Sequence, residues 1–177
     1  MHSDISHIQN LIKNYPDFPK QGILFKDINP VFRDGKSLDI LGNHFFDQFH
    51  NEEVDYVAGI EARGFILSTL LGLKFSKGVI MVRKAGKLPG TTIKQAYGIE
   101  YGTAVMELQS DSLRKGDRIL IADDLLATGG TASAAASLVE DLGGEVAGFA
   151  FVMELSSLDG GKLLRERGYR VHSMVVY

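Results

Sequence analysis

Cysteine is absent from the 177 residues, so neither a disulfide framework nor thiolate chemistry is open to this chain. No apolar run approaches the roughly 18 residues that a membrane-crossing helix needs. Residues 1–14 lack the apolar central region of a secretory leader. A surplus of one charge is missing too: the net charge is −3, which suits neither nucleic acid nor an anionic membrane as a general partner. The five histidines, His2, His7, His44, His50 and His172, form no zinc-ligand spacing, and His44 and His50 are expected on the surface of one helix. Gly-x-Gly-x-x-Gly and Gly-x-x-x-x-Gly-Lys-Ser/Thr are both absent, which argues against a Rossmann dinucleotide site and a P-loop. There is no internal repeat, low-complexity tract or linker. What is present is ordinary globular composition, 45% hydrophobic and 23% charged, long enough for one domain with a sizeable core. A soluble, intracellular, cytoplasmic protein is the expectation.

Hydrophobic spacing predicts helices over 5–14, 37–51, 65–73, 132–141 and 161–167. Strands are expected over 54–60, 78–83, 104–108, 119–122, 146–154 and 169–177, with 22–30 a short extended segment and 84–102 a long polar loop. Strands alternate with helices and are mostly uninterrupted apolar runs. That pattern predicts an α/β fold with a parallel sheet covered on both faces. Ligands of such sheets bind beyond the carboxyl ends of the strands, where the loops after Ile60, Arg83, Ile121 and Met153 should collect.

The most informative stretch is 118–132, Arg-Ile-Leu-Ile-Ala-Asp-Asp-Leu-Leu-Ala-Thr-Gly-Gly-Thr-Ala. Ile119 to Ala122 reads as a buried strand, Asp123 and Asp124 as an acidic turn, and Ala127 to Thr131 as a small-residue loop that opens a helix. A helix start offers free N–H groups and the positive end of a dipole, which suits phosphate. Gly129 and Gly130 let backbone close around an anion, and Thr128 and Thr131 add hydroxyls. Carboxylates repel phosphate but accept hydrogen bonds from sugar hydroxyls or bind a hard cation. Together they suggest a ribose phosphate, with acids on the diol and the loop on the 5′-phosphate. Taken piecemeal, the same residues make a threonine-capped turn and a solvated strand end.

Other stretches are open to two readings each. Glu61-Ala62-Arg63-Gly64 is a pyrophosphate grip at a helix start, or a surface arginine. Arg83-Lys84-Ala85-Gly86-Lys87-Leu88-Pro89-Gly90 gathers cations around glycines, or is a solvated basic turn. Residues 91–102, ending Glu100-Tyr101-Gly102, are a lid or an exposed β-hairpin. Residues 18–28 hold Phe25 in a segment that covers a planar ligand, or form a small N-terminal hydrophobic cluster.

The apolar run, acidic pair and Thr-Gly-Gly-Thr closely resemble the phosphoribosyl pyrophosphate (PRPP) signature of the type I phosphoribosyltransferases. Arg-Lys-Ala-Gly-Lys-Leu-Pro-Gly and the lid's Glu-Tyr-Gly are similar to the adenine-specific members, and the likeness spans about 15–155. It implies the type I fold: a central, mostly parallel twisted sheet with helices on both faces, an N-terminal hood and a flexible lid. It further implies a single domain, 1–177, made of a base-covering hood (1–34) and a PRPP-binding core (35–177). The implied reaction is adenine plus PRPP giving AMP and pyrophosphate, with Mg²⁺ held mainly by the substrate and no protein metal ligand assigned. Glu100, Arg63, Lys87 and Tyr101 take the catalytic roles by this resemblance. Leu24, Phe25, Lys26, Arg63, Arg83, Lys84, Lys87, Asp123, Asp124, Ala127, Thr128, Gly129, Gly130, Thr131 and Leu155 contact substrate. A cis peptide at Glu61–Ala62 and a homodimer are also implied. Lys26 stands where relatives often carry arginine, and Ala85 where some carry another cation. The rivals are a hypoxanthine or xanthine phosphoribosyltransferase and a catalytically silent PRPP sensor. The lid and Phe25 segment oppose the first; Arg63, Lys87 and Glu100 oppose the second.

Overall fold

The computed structural model describes residues 2–99 and 102–177. Helix α1 (His2–Leu11) leads into a two-stranded antiparallel sheet of β1 (Lys13–Pro16) and β2 (Leu24–Asp27), then α2 (Asn29–Phe32) and α3 (Gly35–Phe49). The remainder is β3 (Tyr56–Ile60), α4 (Gly64–Phe75), β4 (Gly78–Lys84), β5 (Thr92–Ile99), β6 (Gly102–Gln109), β7 (Arg118–Leu126), α5 (Gly130–Asp141), β8 (Glu145–Glu154), a 3-10 turn (Ser156–Leu158), α6 (Gly160–Glu166) and β9 (Val171–Val176). The large sheet runs β5-β6-β4-β3-β7-β8-β9. Its members β4, β3, β7, β8 and β9 are parallel, and β6 joins β4 and β5 antiparallel.

The alternation of a strand explains the two cores. Along β7, Leu120 and Ala122 enter one core with Leu41, Phe45, Leu67 and Leu71 of α3 and α4. Ile119 and Ile121 enter the other, with Ala135 and Leu138 of α5 and Phe149 and Phe151 of β8. Helices α4 and α5 therefore cover opposite faces. The chain turns one way from β3 to β4, and β7 returns on β3's other side, so the crevice at the β3 and β7 ends is a topological switch point.

Several elements depart from the sequence reading. Most of the expected polar loop at 84–102 is strand, in keeping with the hairpin alternative for 91–102: β5 pairs with β6 from Thr92↔Gln109 to Ile99↔Gly102. Ile93 and Tyr97 are spaced to face inward and pack on the α5 core, a periodicity hidden among polar neighbours. Glu100 and Tyr101 lie outside the described residues. The acidic pair does not form a turn, because β7 continues through Asp123 and Asp124 to Leu126 with β8 paired beside it. Residues 29–32 are a helical turn with Pro30 in its first positions, where the missing N–H costs nothing. Asp34 caps α3 by accepting the Ser37 N–H at 3.0 Å, so that helix starts two residues before 37. His44 is not a free surface group: its Nε2 lies 2.7 Å from Nε2 of His172, half-buried between α3 and β9.

Candidate active site

One cavity of about 420 Å³ sits at the switch point, lined by Glu61 to Arg63, Lys84, Tyr97, Met106 and the whole run Asp123 to Ala132. Of the expected contacts, Arg63, Lys84, Asp123, Asp124 and Ala127, Thr128, Gly129, Gly130 and Thr131 share this wall. The Glu61–Ala62 peptide is cis.

Two approaches of backbone shape the wall. A Cβ on Gly64 would stand 2.8 Å from the Ala122 carbonyl and from Asp123 Oδ1, so only glycine lets α4 start against the acidic pair. Gly129 has φ +82°, a left-handed conformation that turns the loop into α5. The Ser133 N–H bonds back to the Gly129 carbonyl at 2.8 Å. The amides before it have no helical acceptor and are open to an anion.

The electrostatics are divided. Arg63 Nε donates to Asp124 Oδ2 at 2.5 Å, and the Asp124 N–H donates to Asp123 Oδ1 at 2.8 Å. Burial, and then the Asp124 carboxylate beside it, pushes the Asp123 carboxyl well above the usual carboxylate range. Nearby, Glu61 gathers the cations: it accepts from Lys87 Nζ at 2.5 Å, Arg83 Nε at 3.2 Å and the Lys84 N–H at 3.1 Å. Burial would raise the Glu61 carboxyl, but these donors, Lys87 first, outweigh it and hold it below its ordinary range. The wall thus presents acids and free amides on one side and clustered cations on the other. That combination fits a molecule with a sugar diol and two phosphate-bearing ends.

The phosphoribosyl transferase domain pattern matches residues 34–175. The adenine phosphoribosyltransferase of Nitrosopumilus maritimus is 48% identical over 97% of this chain and 99% of its own. The chain belongs to the adenine phosphoribosyltransferase family. Among solved structures, the adenine phosphoribosyltransferase of Thermoanaerobacter pseudethanolicus superposes with a TM-score of 0.92 at 42% identity, covering 98% of this chain and 99% of that one. The Saccharomyces cerevisiae enzyme, complexed with an imino-altritol bisphosphate and adenine, gives 0.91 at 37% identity, covering 98% and 99%.

Not every expected residue of this adenine phosphoribosyltransferase family member reaches the cavity wall. Arg83 and Lys87 are held at its edge through Glu61. Leu24, Phe25 and Lys26 lie on β2, apart from the lining; Phe25 meets Phe18 edge-on with ring centroids 5.1 Å apart. The Lys26 ammonium sits 3.5 Å over the Tyr177 ring and 3.1 Å from Asn14 Oδ1. The Leu155 N–H donates to the Leu126 carbonyl at 2.9 Å, which brings the end of β8 beside the wall.

The sequence reading passed over four contributors. Tyr97 and Met106 line the cavity because the β5–β6 hairpin folds over it. Glu107 is 1% exposed, and a lone carboxylate among the apolar residues 104–108 was a signal for it. Gly160 starts α6 and donates its N–H to the Ala127 carbonyl at 3.0 Å, bracing the 127–131 loop from behind. The Gly-Gly pair at 160–161 was the visible trace of that contact.

Proposed function

We propose that this chain transfers the 5-phosphoribosyl group of PRPP to adenine, releasing AMP and pyrophosphate in purine salvage. The single observation that supports this best is the shared cavity wall. Asp123, Asp124 and the amide-rich loop 127–131 stand within one 420 Å³ space beside Arg63 and Lys84. Loop 127–131 anchors the 5′-phosphate, which supplies binding energy away from the reacting carbon. Asp123 and Asp124 accept from the ribose diol and lend negative field to a sugar that turns oxocarbenium-like. Arg63 and Lys87, with Arg83 and Lys84, meet the charge that builds on departing pyrophosphate. Glu100 manages the proton of the base and Tyr101 shields the site. The segment 1–34 is the hood: Leu24 and Lys26 read the base edge through backbone groups, Phe25 stacks on it, and Leu155 meets its other face. Closure of the hairpin excludes water, which otherwise hydrolyses the donor.

Mg²⁺ fits this site through the chemistry of its donors. Asp123 and Asp124 line the cavity, Arg63 already holds Asp124, and both Glu61 oxygens are taken by Lys87, Arg83 and the Lys84 N–H, so a substrate diphosphate supplies most of the shell. When bound, the ion neutralises the diphosphate and polarises its oxygens.

A homodimer belongs to the same reading. Ile66 and Leu73 of α4 and Val79 and Met81 of β4 are exposed by 43%, 76%, 40% and 48%, and such apolar side chains suit burial against a second copy. Cytoplasmic placement follows from phosphorylated substrates that do not cross membranes unaided. Among the described residues no helix is long and apolar enough to span one.

The test is a base panel with PRPP and Mg²⁺. Adenine is converted to AMP while hypoxanthine stays nearly untouched. Equal turnover of hypoxanthine would refute the specificity, and no turnover of any base would refute the reaction.

A further inference from the structure

The turn bearing Lys87 is clamped between two carboxylates. Glu61 takes the side chain: the Lys87 ammonium at 2.5 Å. Glu107, from β6, takes the backbone. Its Oε1 accepts the Lys87 N–H at 2.7 Å and the Leu88 N–H at 2.8 Å, and its Oε2 the Thr92 hydroxyl at 3.4 Å. The other end of the Lys87 peptide unit is gripped too, since Arg83 Nη1 donates to the Lys87 carbonyl at 3.1 Å. Glu107 itself stays off the cavity lining and is 1% exposed.

A carboxylate in an apolar strand needs several donors to remain charged. Here the donors are amides of the turn, and they hold the carboxyl below its ordinary range, the Leu88 N–H first. The arrangement is an inverted anion nest. The protein's own carboxylate fills the concavity of amides and thereby fixes the direction of the side chains on its rim.

We infer that Glu107 is a positioning residue for pyrophosphate: by fixing the Lys87 backbone between β6 and β3, it aims the ammonium at the cavity edge where Glu61 now holds it. Glu107 touches no substrate and acts through Lys87. The inference rests on the reading that Lys87 meets pyrophosphate.

The amide of Glu107→Gln keeps the shape but loses the charge and one acceptor. It raises the half-saturating PRPP concentration and the inhibition constant of pyrophosphate together, by about tenfold. Half-saturation by adenine at saturating PRPP moves by less than about twofold. In a Lys87→Ala background the same change adds little, because its route is already gone. Unchanged PRPP and pyrophosphate constants in a folded Glu107→Gln, or full additivity with Lys87→Ala, overturns the inference. If Glu107→Gln does not fold, Glu107→Asp keeps the buried charge one methylene short of the turn. It gives the same split between PRPP and adenine, and an equal rise in both constants counts against a positioning role. A wild-type protein that turns over no base sinks the underlying reading instead, which separates the two failures.

Discussion

Gly160→Ala tests whether α6 sets the 127–131 loop, because the position lies off the cavity lining and its backbone is ordinary. Gly160 has no positive φ, so alanine meets no conformational barrier there, and helix propensity at this first position of α6 favours it by at most about 1 kcal/mol. Packing says the opposite. A Cβ at Gly160 would stand 2.2 Å from the Ala127 carbonyl oxygen and 2.7 Å from the Gly129 nitrogen. Ordinary contact begins near 3.4 Å, so the loop and α6 must part by about 1 Å. Both obstructing atoms are backbone, and no rotamer change relieves them. Overpacking of this kind costs about 3 kcal/mol at the severe end. The net loss is then about 2 kcal/mol, or roughly 4–8 °C in Tm for a chain of this length. Because the displaced segment is 127–129, kcat/KM for PRPP falls by about a hundredfold. Thermal unfolding of the ligand-free protein and PRPP saturation curves measure the two effects. Gly35→Ala is the control: nothing lies within 4 Å of its Cβ, so neither quantity falls. A Gly160→Ala protein with unchanged Tm and PRPP kinetics would refute the bracing of the loop by α6.

Asp124→Asn removes the charge that Arg63 pairs with and weakens PRPP binding by about tenfold; calorimetric titration showing wild-type affinity removes the diol role. Asp123 behaves differently, since its pKa is raised on folding. The folded state keeps a proton that the unfolded chain releases above its ordinary 3.8, so stability declines as pH rises from there toward the raised folded pKa. Asp123→Asn therefore makes the ligand-free protein more stable than wild type at pH 7, with the gap closing toward pH 3, while PRPP binding weakens; denaturant midpoints across pH that run parallel contradict this. The His44–His172 contact works in the other direction. Burial, and then His44, pulls the His172 pKa from 6.5 to about 4, so the unfolded state binds more protons in that window. Stability falls as pH drops from 6.5 to 4, and His172→Phe flattens that part of the profile; an unchanged slope excludes the pair as its source.

Apolar runs alternating with amphipathic segments were legible in the residues alone, and with them the parallel sheet. Residues 118–132 were likewise marked as a candidate site, because acids, glycines and threonines are contiguous there, and the same run lines the cavity from Asp123 onward. Which carboxylates serve which cations depends on long-range folding. Glu61 and Glu107 are far from the 83–90 turn along the chain, and strand pairing alone brings them to its two sides. The same holds for β5, whose inward residues Ile93 and Tyr97 reveal their period only once α5 is there to receive them. It holds for Gly160 as well, whose lack of a side chain matters only because the Ala127 carbonyl arrives 3.0 Å from its nitrogen. Local physics sets what each segment can be, and long-range contact sets what each segment must hold in place.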